Sequence, residues 1–298
     1  MKPTRLSPID ILGLTLGVIA IILVVGGFAY VVTHRTYGPA WTGSDGWRGT
    51  RGDFSFGAQR EEKDEPVSGD FTELEVRNIA GSIDISGTSA SQMTVHWVKT
   101  AMSPRGMEAV TVDVQRRGSR LVLEEKHAPM MFGGGTVSFR IAVPSGMKLI
   151  EAHSVSGSVT VRDLPSVVDQ NLSTVSGSVT TSQAANLDAS TTSGHLQFTF
   201  AGKALNARSV SGSIDGSIDS LAQGGSASVH TVSGSVSLNA FAGLDASLNL
   251  RSVSGSVSCG FPVTVAQQAR NRLQGTVGSG AANLEVGTTS GSISLSKD

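Results

Sequence analysis

The sequence contains one cysteine, Cys259, in 298 residues. A single cysteine excludes an internal disulfide and any zinc site built from cysteines. Aromatic residues make up 5% of the chain and charged residues 16%, and the formal net charge is -1. From residue 151 onwards, seven Lys or Arg stand against nine Asp or Glu. These totals predict no basic stripe for a phosphate backbone, so we expect no nucleic-acid partner.

The sequence also lacks the motifs of common catalytic chemistry. It has no GxSxG, GxGxxG, HExxH, P-loop or calcium-loop spacing. His153 and His230 hold equivalent places in the repeat described below, four coils apart. At one strand spacing per coil they are about 19 Å apart, whereas metal–nitrogen bonds are about 2 Å long. We therefore expect no catalytic residue, no cofactor and no metal site.

What the sequence has in abundance is a serine-glycine repeat. Residues 154–159 read Ser-Val-Ser-Gly-Ser-Val, and near-copies return through the C-terminal half. Their centres are roughly 20 residues apart, a period that is typical of a solenoid in which each copy forms one stacked coil. A blurred copy is centred on Gly275. The clear copies are centred on Gly157, Gly177, Gly194, Gly212, Gly234, Gly255 and Gly291.

Apolar residues alternate around each central glycine. Valine or threonine stands two residues before it, as at Val155, and an aliphatic residue stands two residues after it, as at Val159. This period of two predicts that both positions and the glycine share the inner face of a strand. A second apolar pair lies seven and five residues before the glycine. The two polar residues that follow this pair, such as His153 and Ser154, predict a corner or bulge between two short strands.

The pattern therefore predicts a parallel β-solenoid, with two or three short strands per coil around a narrow apolar centre. The central glycines are interpreted as structural, because a residue without a side chain lets backbones approach closely. The flanking serines are predicted to form outward hydroxyl ladders, with coils roughly 4.8 Å apart. Such a ladder is either plain solvated surface or an interaction surface. Its candidate residues are Ser156, Ser176, Ser193, Ser211, Ser233 and Ser254.

The N-terminal part predicts a membrane anchor. An uncharged apolar run covers residues 11–32, from Ile11 to Val32, and a helix of that length spans roughly 33 Å, enough for a lipid bilayer. The run is longer than the apolar part of a cleaved signal peptide. Gly13 and Gly17 have the spacing that can bring two such helices together, so a weak homo-oligomer is expected. The charges at Lys2 and Arg5 favour a cytoplasmic N-terminus and an extracytoplasmic solenoid.

The predicted layout has four parts. Residues 1–10 are a short tail, residues 11–33 a transmembrane helix and residues 34–69 a linker that ends in a mixed charged run. Residues 70–298 are the β-solenoid domain. Within it, residues 70–146 are an irregular β cap and residues 147–298 the repeated coils, because a terminal repeat must close the end of a solenoid.

The order of motifs also resembles a known family. Phe71-x-x-Leu74-x-Val76 leads to Gly81-x-Ile83, then to Ile141-x-Val143-Pro-x-Gly, and then to the serial Ser-Gly-Ser-Val coils. This order, over residues 71–298, is similar to a bacterial family of unknown function labelled "putative adhesin". The resemblance implies a β-solenoid on an envelope protein, often behind a membrane segment, with no catalytic residues to carry over. The chain departs from the pattern around Gly275.

These observations favour a non-catalytic function. The first expectation is an envelope-anchored, adhesin-like or protein-interaction scaffold, whose envelope protein or glycan partner the sequence does not name. The alternative is a membrane-tethered sensor or regulator of envelope stress that acts by protein contact. The two differ in whether the short N-terminal tail engages a cytoplasmic partner. An enzyme is not expected, because serine stands on the outer faces where polysaccharide-cleaving solenoids need clustered carboxylates.

Overall fold

The computed structural model describes residues 59–128, 134–164 and 168–298. The strands before the repeat are β1 (Gln59–Val67), β2 (Glu73–Ala80), β3 (Ile83–Gly87), β4 (Met93–Ala101), β5 (Val110–Arg117), β6 (Arg120–His127) and β7 (Thr136–Val143). The next strands are β8 (Leu149–Ser156), β9 (Val159–Arg162), β10 (Val168–Ser176), β11 (Val179–Ser193), β12 (Leu196–Ser211) and β13 (Ile214–Ser233). The last are β14 (Val236–Ala240), β15 (Ala246–Ser254), β16 (Val257–Cys259), β17 (Thr264–Ala269), β18 (Arg272–Val277), β19 (Ala282–Ser290) and β20 (Ile293–Lys297). One short helix, α1 (Pro104–Ala109), precedes β5. The predicted all-β class is confirmed.

The strands form two ladders that meet at the serine-glycine repeat. Segments that end just before a central glycine stack in the pre-corner ladder, and segments that begin just after it stack in the post-corner ladder. Neighbouring repeat segments pair in parallel, so that Ser176 lies opposite Ser156 on one side and Ser193 on the other. β11, β12 and β13 each run through both ladders, from one central glycine to the next. One coil thus stacks on the next, as in a solenoid.

The coils do not stack in chain order at the C-terminal end. β19 pairs with both β13 and β15, and β20 pairs with both β14 and β16, so the last coil lies between the two before it. Asp245 holds the loop that leads into β19. Its carboxylate accepts hydrogen bonds from Gly280 N (2.6 Å), Ala281 N (3.1 Å) and Ser279 Oγ (2.7 Å). The central glycines at this end therefore stack in the order Gly234, Gly291, Gly255, which their sequence positions do not reveal.

The N-terminal end has a related arrangement. β2 and β3 form a coil that stacks on β8 and β9, and β6 and β7 cover its other side in parallel. β1, β4 and β5 add antiparallel pairings at this end. The predicted irregular cap therefore contains one regular coil, around Gly81. Gln59–Val67, which the sequence predicts as linker, is strand β1 because its backbone pairs with β4 along its whole length.

Each central glycine lies at the corner between the two ladders. Gly157, Gly194 and Gly291 have φ angles of 152°, 148° and 144°, which residues with a side chain rarely adopt. A Cβ on Gly194 would lie 1.9 Å from the carbonyl oxygen of Gly177, one coil away. The predicted close approach of backbones is therefore confirmed. The predicted inward position is wrong, because the glycines are half-buried at the corner itself.

The inner face differs from its prediction in the strands before the corner. In β8, Ile150, Ala152 and Ser154 are all buried, and Val155 is half-buried on the outer side. The alternation therefore continues without the slip that His153 and Ser154 predicted, and the corner comes three residues later. At most of the equivalent positions in other coils the buried hydroxyl finds a hydrogen-bond partner, which offsets the cost of its burial. The sequence pattern alone does not show such partners.

Most of these buried hydroxyls bond to the corner of the neighbouring coil. The donors share the position three residues before a central glycine, and each acceptor is a glycine carbonyl. The bonds are Thr174 Oγ1 to Gly157 O (2.9 Å), Thr191 Oγ1 to Gly177 O (3.1 Å), Thr231 Oγ1 to Gly212 O (3.0 Å), Thr288 Oγ1 to Gly234 O (3.0 Å) and Ser252 Oγ to Gly291 O (2.8 Å). They tie adjacent coils together at the corner.

Two further expectations concern the ends of the chain. Gly275 is not a corner, because it lies inside β18, which forms an antiparallel hairpin with β17 and covers β15. The predicted transmembrane helix, residues 11–33, lies outside the described residues. Within the part of the chain that is described, no helix is long and apolar enough to cross a membrane.

Candidate interaction surface

The serines that precede the central glycines form one exposed row along the stack. All six predicted members are exposed, and they follow one another in register from coil to coil. Ser290 joins them between Ser233 and Ser254, because β19 lies between β13 and β15. Ser290 directly precedes Gly291 in the same serine-glycine motif, so the sequence could have identified it as a member of the row. Its place between Ser233 and Ser254 follows only from the strand pairing. We call these seven residues the serine ladder.

A row of β-branched residues lies beside the serine ladder. The prediction that these residues face inward is wrong, because they are half-buried or exposed on the outer side; Val253 is 53% exposed. The members of this row are Val155, Val175, Thr192, Val210, Val232, Val253 and Thr289. Such side chains suit the surface of a sheet even without a partner. Together the two rows present one apolar or threonine side chain and one hydroxyl per coil, and we call them the corner ridge.

Further from the corner, the outer face of the pre-corner ladder carries charged side chains. At the N-terminal end, Arg120 contacts Glu73 (2.7 Å), Glu75 (3.1 Å) and Glu151 (2.8 Å), and Arg77 also pairs with Glu75. Burial of Glu75 opposes its ionisation, but the hydrogen bonds from Arg120 and Arg77 outweigh it and hold its pKa below the usual value. Each of the three carboxylates is held in an ion pair by Arg120 or Arg77, so this network links coils rather than offering free acids.

A second carboxylate at this end is committed to the backbone. The side chain of Glu125 is fully buried. It accepts hydrogen bonds from Ile79 N (2.5 Å) and Ala80 N (2.8 Å), and it lies 2.7 Å from His127 Nε2. A carboxylate that satisfies two buried amides has a structural role, since those amides would otherwise lack partners.

In the middle of the stack, the same outer face forms a shallow depression of about 400 Å³. Asn186 Nδ2 donates to Asp169 Oδ1 (2.8 Å), and Asn206 Nδ2 donates to Asp188 Oδ1 (3.0 Å). Each of these bonds joins one coil to the next. Arg208 also lines the depression. The depression thus presents an arginine beside carboxylates and amides that bond to one another, and these side chains can offer hydrogen bonds but no activated nucleophile.

The C-terminal end of this face carries arginines instead. Arg251 lies directly opposite Arg272 on the neighbouring strand, and Arg270 lies in the turn between β17 and β18. Among the described residues, none of the three forms a salt bridge within 4.0 Å. The Nε of Arg272 is buried and has no hydrogen-bond partner. The balanced charge totals do not show this local pair, because strand pairing brings Arg251 opposite Arg272.

His153 and His230 occupy the same row of this face, as predicted. Burial lowers the pKa of both imidazoles, although the charges of Glu151 and Glu285 oppose the shift, so both rings are neutral at neutral pH. His153 Nδ1 lies 2.7 Å from Ser173 Oγ on the next coil. Across residues 59–128, 134–164 and 168–298, no three or more His, Cys, Asp or Glu side chains are placed to hold a metal ion.

A family model described as Toastrack DUF4097 matches residues 52–296. The chain belongs to this family. The match extends from before β1 into β20, so both ladders belong to the Toastrack domain. The resemblance drawn from the order of motifs is confirmed.

The Toastrack chain is also similar to solved structures. A "putative cell adhesion protein" from Clostridium sporogenes shares 12% identity and a TM-score of 0.37, with 80% of this chain and 100% of the other chain covered. A "putative adhesin" from Bacteroides fragilis shares 13% identity and a TM-score of 0.38, with 80% and 97% covered. A "putative lipid binding protein" from Parabacteroides distasonis shares 14% identity and a TM-score of 0.27, with 80% and 94% covered. No curated protein matches the chain.

Proposed function

We propose that this Toastrack protein is a membrane-anchored, non-catalytic interaction scaffold of the cell envelope, with the corner ridge as its adhesin-like recognition surface. The observation that carries the proposal is the serine ladder: seven exposed hydroxyls in register along one edge of the stack. The glycine contacts and the buried hydroxyl bonds hold that edge in one geometry, so a partner meets a preorganised surface.

The corner ridge suits repeated weak contacts. Each coil presents the same pair of side chains about 4.8 Å from the next pair. A partner with its own repeat, such as a glycan chain or an extended peptide, can contact several coils at once. Weak contacts repeated in this way reinforce one another, because each one raises the effective concentration of the next.

The serine ladder is tested by adding methyl groups to it. Ser176, Ser211, Ser233 and Ser254 are changed together to Thr, which keeps every hydroxyl and suits a strand. We expect binding of the full chain to envelope fractions to fall while thermal stability stays near that of the wild type. A matched control changes Ser237, Ser258 and Ser294 to Thr, since these exposed serines lie on the post-corner ladder.

The outcomes separate a recognition surface from a spacer. Loss of binding in the serine-ladder variant alone supports the proposal. Unchanged binding of that variant to every envelope fraction contradicts it, and the solenoid is then a spacer. An equal loss in both variants also contradicts it, because a general surface change then explains the effect.

The anchor and its orientation are tested by labelling in intact cells. We propose that residues 11–32 stay in the membrane, with the N-terminus inside and the solenoid outside. Ser68 is exposed between β1 and β2, and Cys259 is the only native cysteine. We expect Ser68→Cys in a Cys259→Ala background to react with an impermeant maleimide before lysis. Labelling only after lysis overturns the orientation, and a mature N-terminus beyond Val32 overturns the anchor.

A further inference from the structure

The arginines at the C-terminal end of the pre-corner ladder form an unneutralised cluster. Arg251 and Arg272 are partners in an antiparallel pair, so their side chains leave the sheet on the same side. Like charges directly opposite each other destabilise a sheet. Within the described residues no carboxylate pairs with them, and the buried Nε of Arg272 has no acceptor. An anion between the two guanidinium groups would reduce their repulsion and would give the Nε of Arg272 an acceptor.

The same row continues along the stack. Beyond Arg251 it passes through Gly287 and His230 to Arg208. At about 4.8 Å per step, the row from Arg272 to Arg208 spans about 19 Å. A Cβ on Gly287 would lie 2.5 Å from His230 Nδ1, so the His230 ring lies over the glycine. The ring occupies the space that a side chain at position 287 would take, and the row has no acidic side chain between Arg251 and Arg208.

We propose that Arg208, Arg251, Arg270 and Arg272 bind a linear polymer of phosphate-class oxyanions laid along this row. Guanidinium groups match the oxygens of a phosphate group two at a time and stay charged at every physiological pH. A polymer fits better than a single ion because the arginines follow the long axis of the stack. Glu285 and Asp188, both in the adjacent row, are the carboxylates that border the arginine row, and Asp188 lines the same depression as Arg208. The proposal does not depend on recognition by the corner ridge.

The test compares charge removal at the two ends of the stack. The full chain is placed in zwitterionic nanodiscs, and binding of a short linear polyphosphate is measured by calorimetry at two salt concentrations. We expect wild-type binding to weaken as salt rises, because screening weakens charge contacts. Arg251→Gln with Arg272→Gln should weaken binding by about tenfold or more, since both charge-assisted contacts are lost. The control pair is Arg105→Gln with Arg116→Gln, two exposed arginines near the N-terminal end, which should bind as the wild type does.

Thermal unfolding gives a readout that does not need tight binding. Polyphosphate should raise the Tm of the wild type and of the control pair but not that of the Arg251 and Arg272 pair. Equal polyphosphate binding by all three proteins overturns the proposal. A polyphosphate effect on the Tm no larger than that of chloride at the same ionic strength also overturns it. The proposal is also overturned if the wild type does not bind polyphosphate but self-associates, and if the variant with Arg251→Gln and Arg272→Gln loses that self-association. The arginines would then serve a protein contact. If inorganic phosphate raises the Tm as much at equal phosphate concentration, the polymer assignment is wrong.

Discussion

The two ends of the stack cover similar coils but differ in charge pairing. At the N-terminal end, Arg120 bridges three carboxylates, and the outermost strand β1 carries mixed charges and a proline. At the C-terminal end, Arg251 faces Arg272 without a carboxylate partner among the described residues. The outermost strand there, β17, is uncharged, and all six of its residues are exposed.

This difference separates charges that maintain the fold from charges that are free to bind. A charged edge strand discourages pairing with other chains, and an ion-paired network contributes mainly to the joining of coils. An arginine pair without a counter-charge adds like-charge repulsion to the sheet. The N-terminal end is therefore the structural cap, and the C-terminal end carries the arginines that we propose to bind an anionic ligand.

The largest expected effect is the loss of stability when a corner glycine is changed to alanine at either end of the stack. A Cβ on Gly81 would lie 2.2 Å from Val137 O at a φ of 115°, and one on Gly255 would lie 1.9 Å from Gly291 O. We expect Gly81→Ala and Gly255→Ala each to lower the free energy of unfolding by about 3 kcal/mol or more, through overpacking and, at Gly81, backbone strain. Chemical denaturation of each variant measures the loss.

The control for this prediction is Gly118→Ala. Gly118 has a φ of 62°, but nothing lies within 4 Å of a Cβ built there. Only the cost of the left-handed conformation remains, about 1–2 kcal/mol. A loss at Gly255 no greater than that at Gly118 would show that the C-terminal coil can move away from its neighbour.

The next prediction is that removing an arginine changes stability differently at the two ends. Arg120→Gln leaves Glu73, Glu75 and Glu151 without their shared cation, so we expect a loss of about 1–3 kcal/mol. Arg272→Gln removes a like-charge contact, so without multivalent anions we expect stability within about 0.5 kcal/mol of the wild type or slightly above it. Paired denaturation curves in chloride buffer test the contrast, and a similar loss in both variants would remove the distinction between the ends.

The pH dependence sharpens the account of the N-terminal end. The folded-state pKa of Glu75 is lowered, so its contribution to stability is present above the carboxyl's unfolded pKa and is lost as the pH falls through the folded pKa. We expect the wild type to lose stability more steeply than Arg120→Gln between about pH 5 and pH 3. Tm measured across that range tests this. Parallel curves for the two proteins would contradict the role given to Arg120.

The smallest expected effect is the loss of stability when a buried serine three residues before a central glycine is changed to alanine. Ser252 Oγ donates to Gly291 O at the C-terminal end (2.8 Å). Ser154 Oγ is buried without a partner, because Asn78 Nδ2 already donates to Gly81 O (2.8 Å). We expect Ser252→Ala to cost about 1 kcal/mol and Ser154→Ala to stay within about 0.5 kcal/mol of the wild type. Equal losses in the two denaturation midpoints would show that the Ser154 hydroxyl has a partner in solution.

Much of this architecture could be predicted from the repeat. Strands before and after each central glycine were expected and are present, since alternating apolar residues indicate them directly. The inner face was misread at the position of Ser154, because a buried hydroxyl looks polar in a sequence. At most of the equivalent positions the hydroxyl bonds to a backbone carbonyl on the next coil, and a residue pattern does not show backbone atoms.

The sequence by itself determined the coil, its period, the glycine at each repeat and the outward serines, because these follow from local alternation and from the absence of a side chain. Only the tertiary structure decided the stacking order, which places Ser290 between Ser233 and Ser254 and Arg251 against Arg272. All coils have nearly the same edge, so their local sequences do not distinguish one neighbour from another. The choice depends on long-range pairing and on the loops that permit it, such as the one held by Asp245.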